Sequence, residues 1–209
     1  MKYIIMCGGK YPNWDEPKQI QPANGEPIVA RTIRLLRENK VGDIAISSNN
    51  NIFKQFGVPV LNHYNSLDDG HGVWLDAFYP MKKPVCYLYG DVIYSPEAIK
   101  TIVDRHVTSI EFFASSPPYS PEYIKHWEEP FAFKVQDTEL FRHCIEVTKH
   151  YDRMGLYPRK DGAISWELWQ VIKGTPMNQI INDNYVVIND YTCDIDTLED
   201  IDKIGGYIK

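Results

Sequence analysis

Short apolar runs alternate with segments of helix length along this chain, the pattern of a mostly parallel sheet whose crossover helices cover its faces. The first run, Tyr3 to Met6, predicts an opening strand. In Pro27 to Arg37 the residues Ile28, Ile33, Leu35 and Leu36 can share one helix face, and Pro27 suits the first turn. Asp43 to Ser47 predicts a second strand, Val58 to Leu61 a short third, and Val85 to Tyr89 a fully buried fourth. Between the last two, the polar, turn-rich stretch from Asn62 to Gly72 predicts a ligand-facing loop leading into a helix from Val73 to Phe78.

Beyond Gly90-Asp91, Ser95-Pro96-Glu97 supplies an N-cap, a first-turn proline and an acidic first turn for a helix running to about Arg105. Ile110 to Ala114 predicts a strand. Pro117, Pro118 and Pro121 break the pattern before Phe131 to Val135 resumes it as a strand. Glu139 to His150 and Ile164 to Ile172 predict helices, Tyr185 to Ile188 a late strand, and Asp194 to Asp200 a closing turn and helix. The expected architecture is a single α/β domain of Rossmann-like character over residues 1–209. Its sheet is mostly parallel but mixed, with helices on both faces, shared by a nucleotide half of about 1–115 and an acceptor half of about 116–209.

Composition narrows the function classes. With 209 residues, 44% of them apolar, the chain can fill one large core and is short for two. A formal charge of −6 leaves no global basic surface for a nucleic-acid backbone, while a small anionic ligand held by a few lysines stays compatible. No stretch approaches the roughly 20 apolar residues of a membrane span. The opening strand runs into Cys7-Gly8-Gly9 too soon for a signal peptide, so a cytoplasmic protein with no membrane partner is expected. Cys7, Cys86, Cys144 and Cys193 have no Cys-x-x-Cys spacing and read as free, mostly buried thiols. His143 and His150 can share a helix face, but a zinc site needs more ligands, and no serine or cysteine sits in a nucleophile-elbow pattern.

The informative chemistry begins where the first strand ends. In Cys7-Gly8-Gly9-Lys10 two glycines let backbone N–H groups approach a polyphosphate, although a tight turn alone would also use them. Glu16-Pro17-Lys18-Gln19 and Asn24-Gly25-Glu26-Pro27 follow before the first long helix. Gly90-Asp91-Val92 lies at the carboxyl end of the most apolar strand, where open α/β sheets place ligands. Asp194-Ile195-Asp196-Thr197-Leu198-Glu199-Asp200 adds a late acidic cluster. Taken singly, Asp91 also suits a turn and Asp196 also suits a helix N-cap.

Together these elements resemble the nucleotidyltransferases of GT-A-like fold, which include sugar-phosphate nucleotidyltransferases and the cytidylyltransferases of isoprenoid, choline and sugar-acid pathways. The resemblance implies transfer of NMP from an NTP, CTP first, to a small phosphorylated acceptor such as a sugar or alcohol phosphate, with release of pyrophosphate. It puts Cys7, Gly8, Gly9, Lys10 and Lys18 around the nucleotide, with Lys18 on the α-phosphate. Mg²⁺ would fall to Asp91 and Asp196, with Asp194 as the alternative to Asp196. It places base recognition in the 65–74 loop, where Gly70 and Gly72 allow close approach.

The chain departs from that family's usual Gly-x-Arg, carrying Lys10-Tyr11-Pro12-Asn13-Trp14 instead; Lys10 can replace the charge, and Trp14 either covers the phosphates or packs. For the acceptor, Lys134 and Arg159-Lys160 are the phosphate candidates. Tyr119, Tyr123, Trp127, Phe131, Phe133, Trp166 and Trp169 form either a wall for a cationic or apolar head group or part of the core. The resemblance leaves room for a homodimer. Two rival readings are a GT-A glycosyltransferase, for which Asp194-Ile195-Asp196 has the Asp-x-Asp form, and a nucleotide-binding domain without turnover.

Overall fold

The computed structural model of the chain describes residues 1–8, 14–62, 73–116, 128–158, 162–181 and 183–208. The expected loop glycines Gly9, Gly70 and Gly72, together with Lys10, Tyr119, Tyr123, Trp127, Arg159 and Lys160, lie outside the described residues.

In chain order the elements are β1 (Lys2–Met6), β2 (Pro22–Ala23), β3 (Glu26–Pro27), α1 (Ile28–Glu38), β4 (Ile44–Ser47), β5 (Val60–Leu61), β6 (Val85–Tyr89), β7 (Val92–Ile93), α2 (Pro96–Asp104), β8 (Ile110–Ala114), β9 (Pro130–Val135), α3 (Thr138–Arg153), α4 (Ser165–Lys173), β10 (Val186–Val187), β11 (Cys193–Asp194) and α5 (Leu198–Gly205). Short 3₁₀ helices occupy Lys18–Ile20, Asn51–Phe56 and Val73–Ala77. The main sheet runs in the order β10-β8-β9-β6-β1-β4-β5. β1 pairs in parallel with both β4 and β6, whereas β9 is antiparallel to both β6 and β8, so the sheet is mixed as expected.

Its two faces are covered by different helices. Tyr87, Phe133 and Phe112 are register neighbours on one face. There Phe141 of α3 stacks on Tyr87 at 5.7 Å, and Trp166 of α4 meets Phe112 edge-on at 5.0 Å. Each such ring pair adds about 0.5–1.5 kcal/mol beyond the area it buries. Strand alternation sends Lys134 to the other face, where its Nζ donates to the carbonyls of Ile102, Val103 and Arg105 at the end of α2. Phe131, Phe133 and Trp169 of the aromatic wall are buried as core, while Trp166 is buried and also lines a cleft. All four cysteines are buried and none forms a disulfide.

Helix starts follow local chemistry. Ser95 Oγ accepts from the Ala98 N–H at 2.8 Å with Pro96 opening α2, and Asp137 accepts from the Leu140 N–H at 2.9 Å to cap α3. At α5, Thr197 Oγ1 accepts from the Asp200 N–H while Asp200 accepts from the Thr197 N–H, a reciprocal capping box. Thr197, not Asp196, is therefore the N-cap.

A second, smaller core lies beside the main one. It joins Ala23 and Ile28 to Ile93, Cys193, Ile195, Ile201, Ile204 and Ile208, with Trp14 packed against it. Trp14 thus packs, as one of its two expected roles had it. Asn24 (φ 50°) and Gly25 (φ 82°) form the two-residue turn between β2 and β3, a left-handed pair that Asn-Gly adopts readily. Asn24 Nδ2 then donates to the Ile208 carbonyl at 3.1 Å, tying the C-terminal segment to this hairpin.

Candidate functional site

The carboxyl end of β6 sets the site. Gly90 approaches β1 so closely that its N–H donates to the Met6 carbonyl at 3.0 Å, and a Cβ there would fall 2.3 Å from that same oxygen. Only glycine fits such an approach. The chain turns at Gly90-Asp91 and enters β7, which pairs antiparallel with β11: Cys193 faces Ile93 and Asp194 faces Val92. The Ile195 N–H donates to the Asp91 carbonyl at 2.9 Å, extending this clasp by one residue. Thr192 Oγ1 accepts from the Ser95 N–H and fixes the same late segment against the start of α2. Alternation then buries Ile195 in the small core and turns Asp194 and Asp196 toward the same cleft.

Lys18 arrives from a third direction. Pro17 (φ −52°, ψ 133°) leads into the 3₁₀ turn, in which Gln19 is buried, leaving Lys18 facing the cleft. Its Nζ lies 3.2 Å from Asp196 Oδ1 and 3.6 Å from Asp91 Oδ2. The ammonium thus reaches a carboxylate 178 positions away along the chain.

The cleft encloses about 420 Å³. It is lined by Asp91, Val92, Asp194 and Asp196, by Glu128, Glu129 and Pro130, and by Trp74, Tyr89, Ser165 and Trp166. Trp74 stacks on Tyr89 at 5.1 Å, and the Tyr89 and Ser165 hydroxyls are 2.9 Å apart. Glu129 Oε2 accepts from the Asp194 N–H at 3.0 Å, and ligand atoms of Glu129, Cys193 and Asp194 lie within 4.8 Å of one another.

Burial pushes the Asp91 carboxyl above its ordinary value; the Lys18 charge pulls it back, and Asp194 and Asp196 push it up again. Burial also raises the Cys7 thiol, and the Asp91 charge adds to the rise.

Of the residues expected from sequence, Lys18, Asp91, Asp194 and Asp196 come together in one cleft. Cys7 directly follows β1 with its side chain buried and its N–H bonded to the Ser47 carbonyl, so any ligand contact there would be through neighbouring backbone; Gly8 follows it, half-buried. Lys134 requires correction as an acceptor ligand. It pairs with Cys86 near the start of β6, roughly 16 Å along the strand from Asp91, and its ammonium is taken up by three helix-end carbonyls. Trp74 closes the 65–74 stretch expected to read the base, whereas Glu128, Glu129, Tyr89 and Ser165 were not singled out from sequence. The adjacent acids before β9 carried the only local signal.

Chemically, the site offers clustered carboxylate oxygens, which suit a hard divalent cation, and the Lys18 ammonium already sits between two of them as a stand-in cation. That donor set fits Mg²⁺ better than the thiol-containing corner around Cys193.

No protein-family model matches the sequence, and no curated protein matches it. Solved structures do. The chain is similar over its whole length to HddC from Yersinia pseudotuberculosis, complexed with GMP-PN, at 17% identity and a TM-score of 0.59, covering 99% of that chain. It is similar to the inositol-1-phosphate CTP transferase from T. maritima at 15% identity and a TM-score of 0.60, covering 98% of this chain and 93% of that one. The 4-diphosphocytidyl-2C-methyl-D-erythritol synthase from Anaerococcus prevotii gives 16% identity and 0.59, covering 99% and 96%. This chain shares the fold of these proteins. The GT-A-like α/β architecture expected from the sequence is therefore its architecture. Among the described residues, no helix is long and apolar enough to cross a membrane.

Proposed function

We propose that the protein is a Mg²⁺-dependent nucleotidyltransferase that transfers NMP from an NTP, with CTP the first candidate, to a small phosphorylated acceptor and releases pyrophosphate. The observation that carries this reading is the convergence of Lys18, Asp91 and Asp196 at the carboxyl end of the central strand. The fold of solved nucleotidyltransferases supports it, as does the order of Gly8-Gly9, Pro17-Lys18-Gln19 and Gly25-Glu26-Pro27 along the chain.

Asp91 and Asp196, with Asp194 beside them, would hold the ion, which when bound neutralises phosphate charge and orients the α-phosphate. Lys18 offers a compact positive charge to the α-phosphate oxygens as negative charge grows on them in the transition state. Backbone at Gly8 offers N–H donors without a Cβ in the way. An acceptor phosphate oxygen then attacks in line and pyrophosphate leaves, so the protein's own share is positioning and charge stabilisation, with no covalent intermediate.

The test is pyrophosphate release from the wild-type chain with Mg²⁺, each of the four NTPs, and a panel of sugar and alcohol phosphates. Turnover is expected with at least one pair, lost in Asp91→Asn. Release that survives Asp91→Asn would overturn the metal assignment. Hydrolysis of a nucleotide-sugar without pyrophosphate chemistry would favour the glycosyltransferase reading.

A further inference from the structure

The Lys18 ammonium does more than wait for a phosphate. It lies between the two carboxylates offered to the divalent ion, 3.2 Å from Asp196 and 3.6 Å from Asp91. Its side chain is only 14% exposed, and the Pro17-led 3₁₀ turn with buried Gln19 fixes the backbone that carries it. It is a held cation, not a surface lysine sweeping through solvent.

We propose that Lys18 occupies the metal position in the nucleotide-free protein, so that the divalent ion is admitted only together with the triphosphate that draws the ammonium away. The inference rests on the nucleotidyltransferase reading for the identity of the anionic ligand. The competition itself follows from charge. A second cation placed on Asp91 and Asp196 while Lys18 remains would meet like charge at contact range, a repulsion that solvent around the half-exposed Asp196 screens only in part. A triphosphate changes the balance because its oxygens give Lys18 a new partner as the ion takes the carboxylates.

Lys18 thereby becomes a specificity device as well as a catalytic group. Free divalent ions bind poorly, an NTP with its ion binds well, and the ion and nucleotide bind with positive cooperativity because each removes an obstacle to the other.

The test is Mn²⁺ titration of nucleotide-free protein, followed by electron paramagnetic resonance of the free ion. Lys18→Met is expected to bind Mn²⁺ about fivefold more tightly than wild type, the factor that corresponds to a competing ion pair worth about 1 kcal/mol. Lys18→Arg keeps a competing charge and should stay close to wild type. Adding Asp196→Asn to Lys18→Met should remove the gain. Wild-type affinity in Lys18→Met, equal gains in the Met and Arg variants, or a gain that survives Asp196→Asn would each overturn the proposal. The titration contains no nucleotide, so its failure is distinct from failure of the reaction. Absence of pyrophosphate release with an intact Lys18 effect would sink only the reaction.

Discussion

Replacing Gly90 by alanine tests how the fold positions the site. The new Cβ would lie 2.3 Å from the Met6 carbonyl oxygen, 2.7 Å from Cys7 Sγ and 3.0 Å from the Met6 carbonyl carbon. The oxygen contact is about 1 Å shorter than ordinary packing permits, and the obstacle is backbone in a central strand, which cannot rotate away. Overpacking of this kind costs about 1–3 kcal/mol, and weakening the 3.0 Å bond from the Gly90 N–H to Met6 adds about 1 kcal/mol. The expected loss is about 2–4 kcal/mol, which for a chain of this size lowers Tm by roughly 4–16 °C.

The same clash separates Asp91 from Gly8 at the end of β1, and a displacement near 1 Å reduces turnover by about a hundredfold. Urea denaturation and pyrophosphate release measure the two effects. A Cys7→Ala, Gly90→Ala double variant should recover only a minor part, because it removes the sulfur contact and leaves the carbonyl. Gly90→Ala with stability within about 0.5 kcal/mol of wild type would refute the reasoning.

Two further outcomes are expected. Lys134→Met should destabilise the fold by about 2–4 kcal/mol in urea, because three helix-end carbonyls lose a charged donor, while the acceptor KM stays unchanged. A raised acceptor KM with unchanged stability would restore Lys134 to the acceptor site. For Asp91, burial raises the carboxyl above its ordinary 3.8, so the native protein retains that proton to higher pH than the unfolded chain does. Wild type should therefore lose stability relative to Asp91→Asn as pH rises from that ordinary value through the raised one, and level off above it. Denaturation midpoints of both proteins across an acidic-to-neutral series check the sign, and a difference running the opposite way contradicts it.

Much of the fold was legible because its strongest elements carry their own boundaries. Val85 to Tyr89 is an unbroken apolar run ending at glycine, and Ser95-Pro96-Glu97 announces α2; both match the structure closely. The Asn24-Gly25 turn was visible only as part of a motif, although Asn-Gly is a strong hairpin signal. β7 and β11 are two residues each, too short for any periodic pattern, and their pairing links positions a hundred residues apart. That pairing is what turns two acidic segments into one cleft, so the sequence could name Asp91 and Asp196 but not derive their meeting. Lys134 was misjudged for a related reason. Alternation says that it opposes Phe133, but not that β9 runs antiparallel and carries it to the far end of the sheet beneath α2.

The most direct test of the shared site is a crystal of the protein grown with Mn²⁺ and a non-hydrolysable CTP analogue, examined for anomalous scattering. One peak is expected between the carboxylates of Asp91 and Asp196 with the triphosphate beside it, and with Lys18 moved from the carboxylates onto the phosphates. A peak bound by neither aspartate, or a triphosphate seated away from Lys18, would contradict the account.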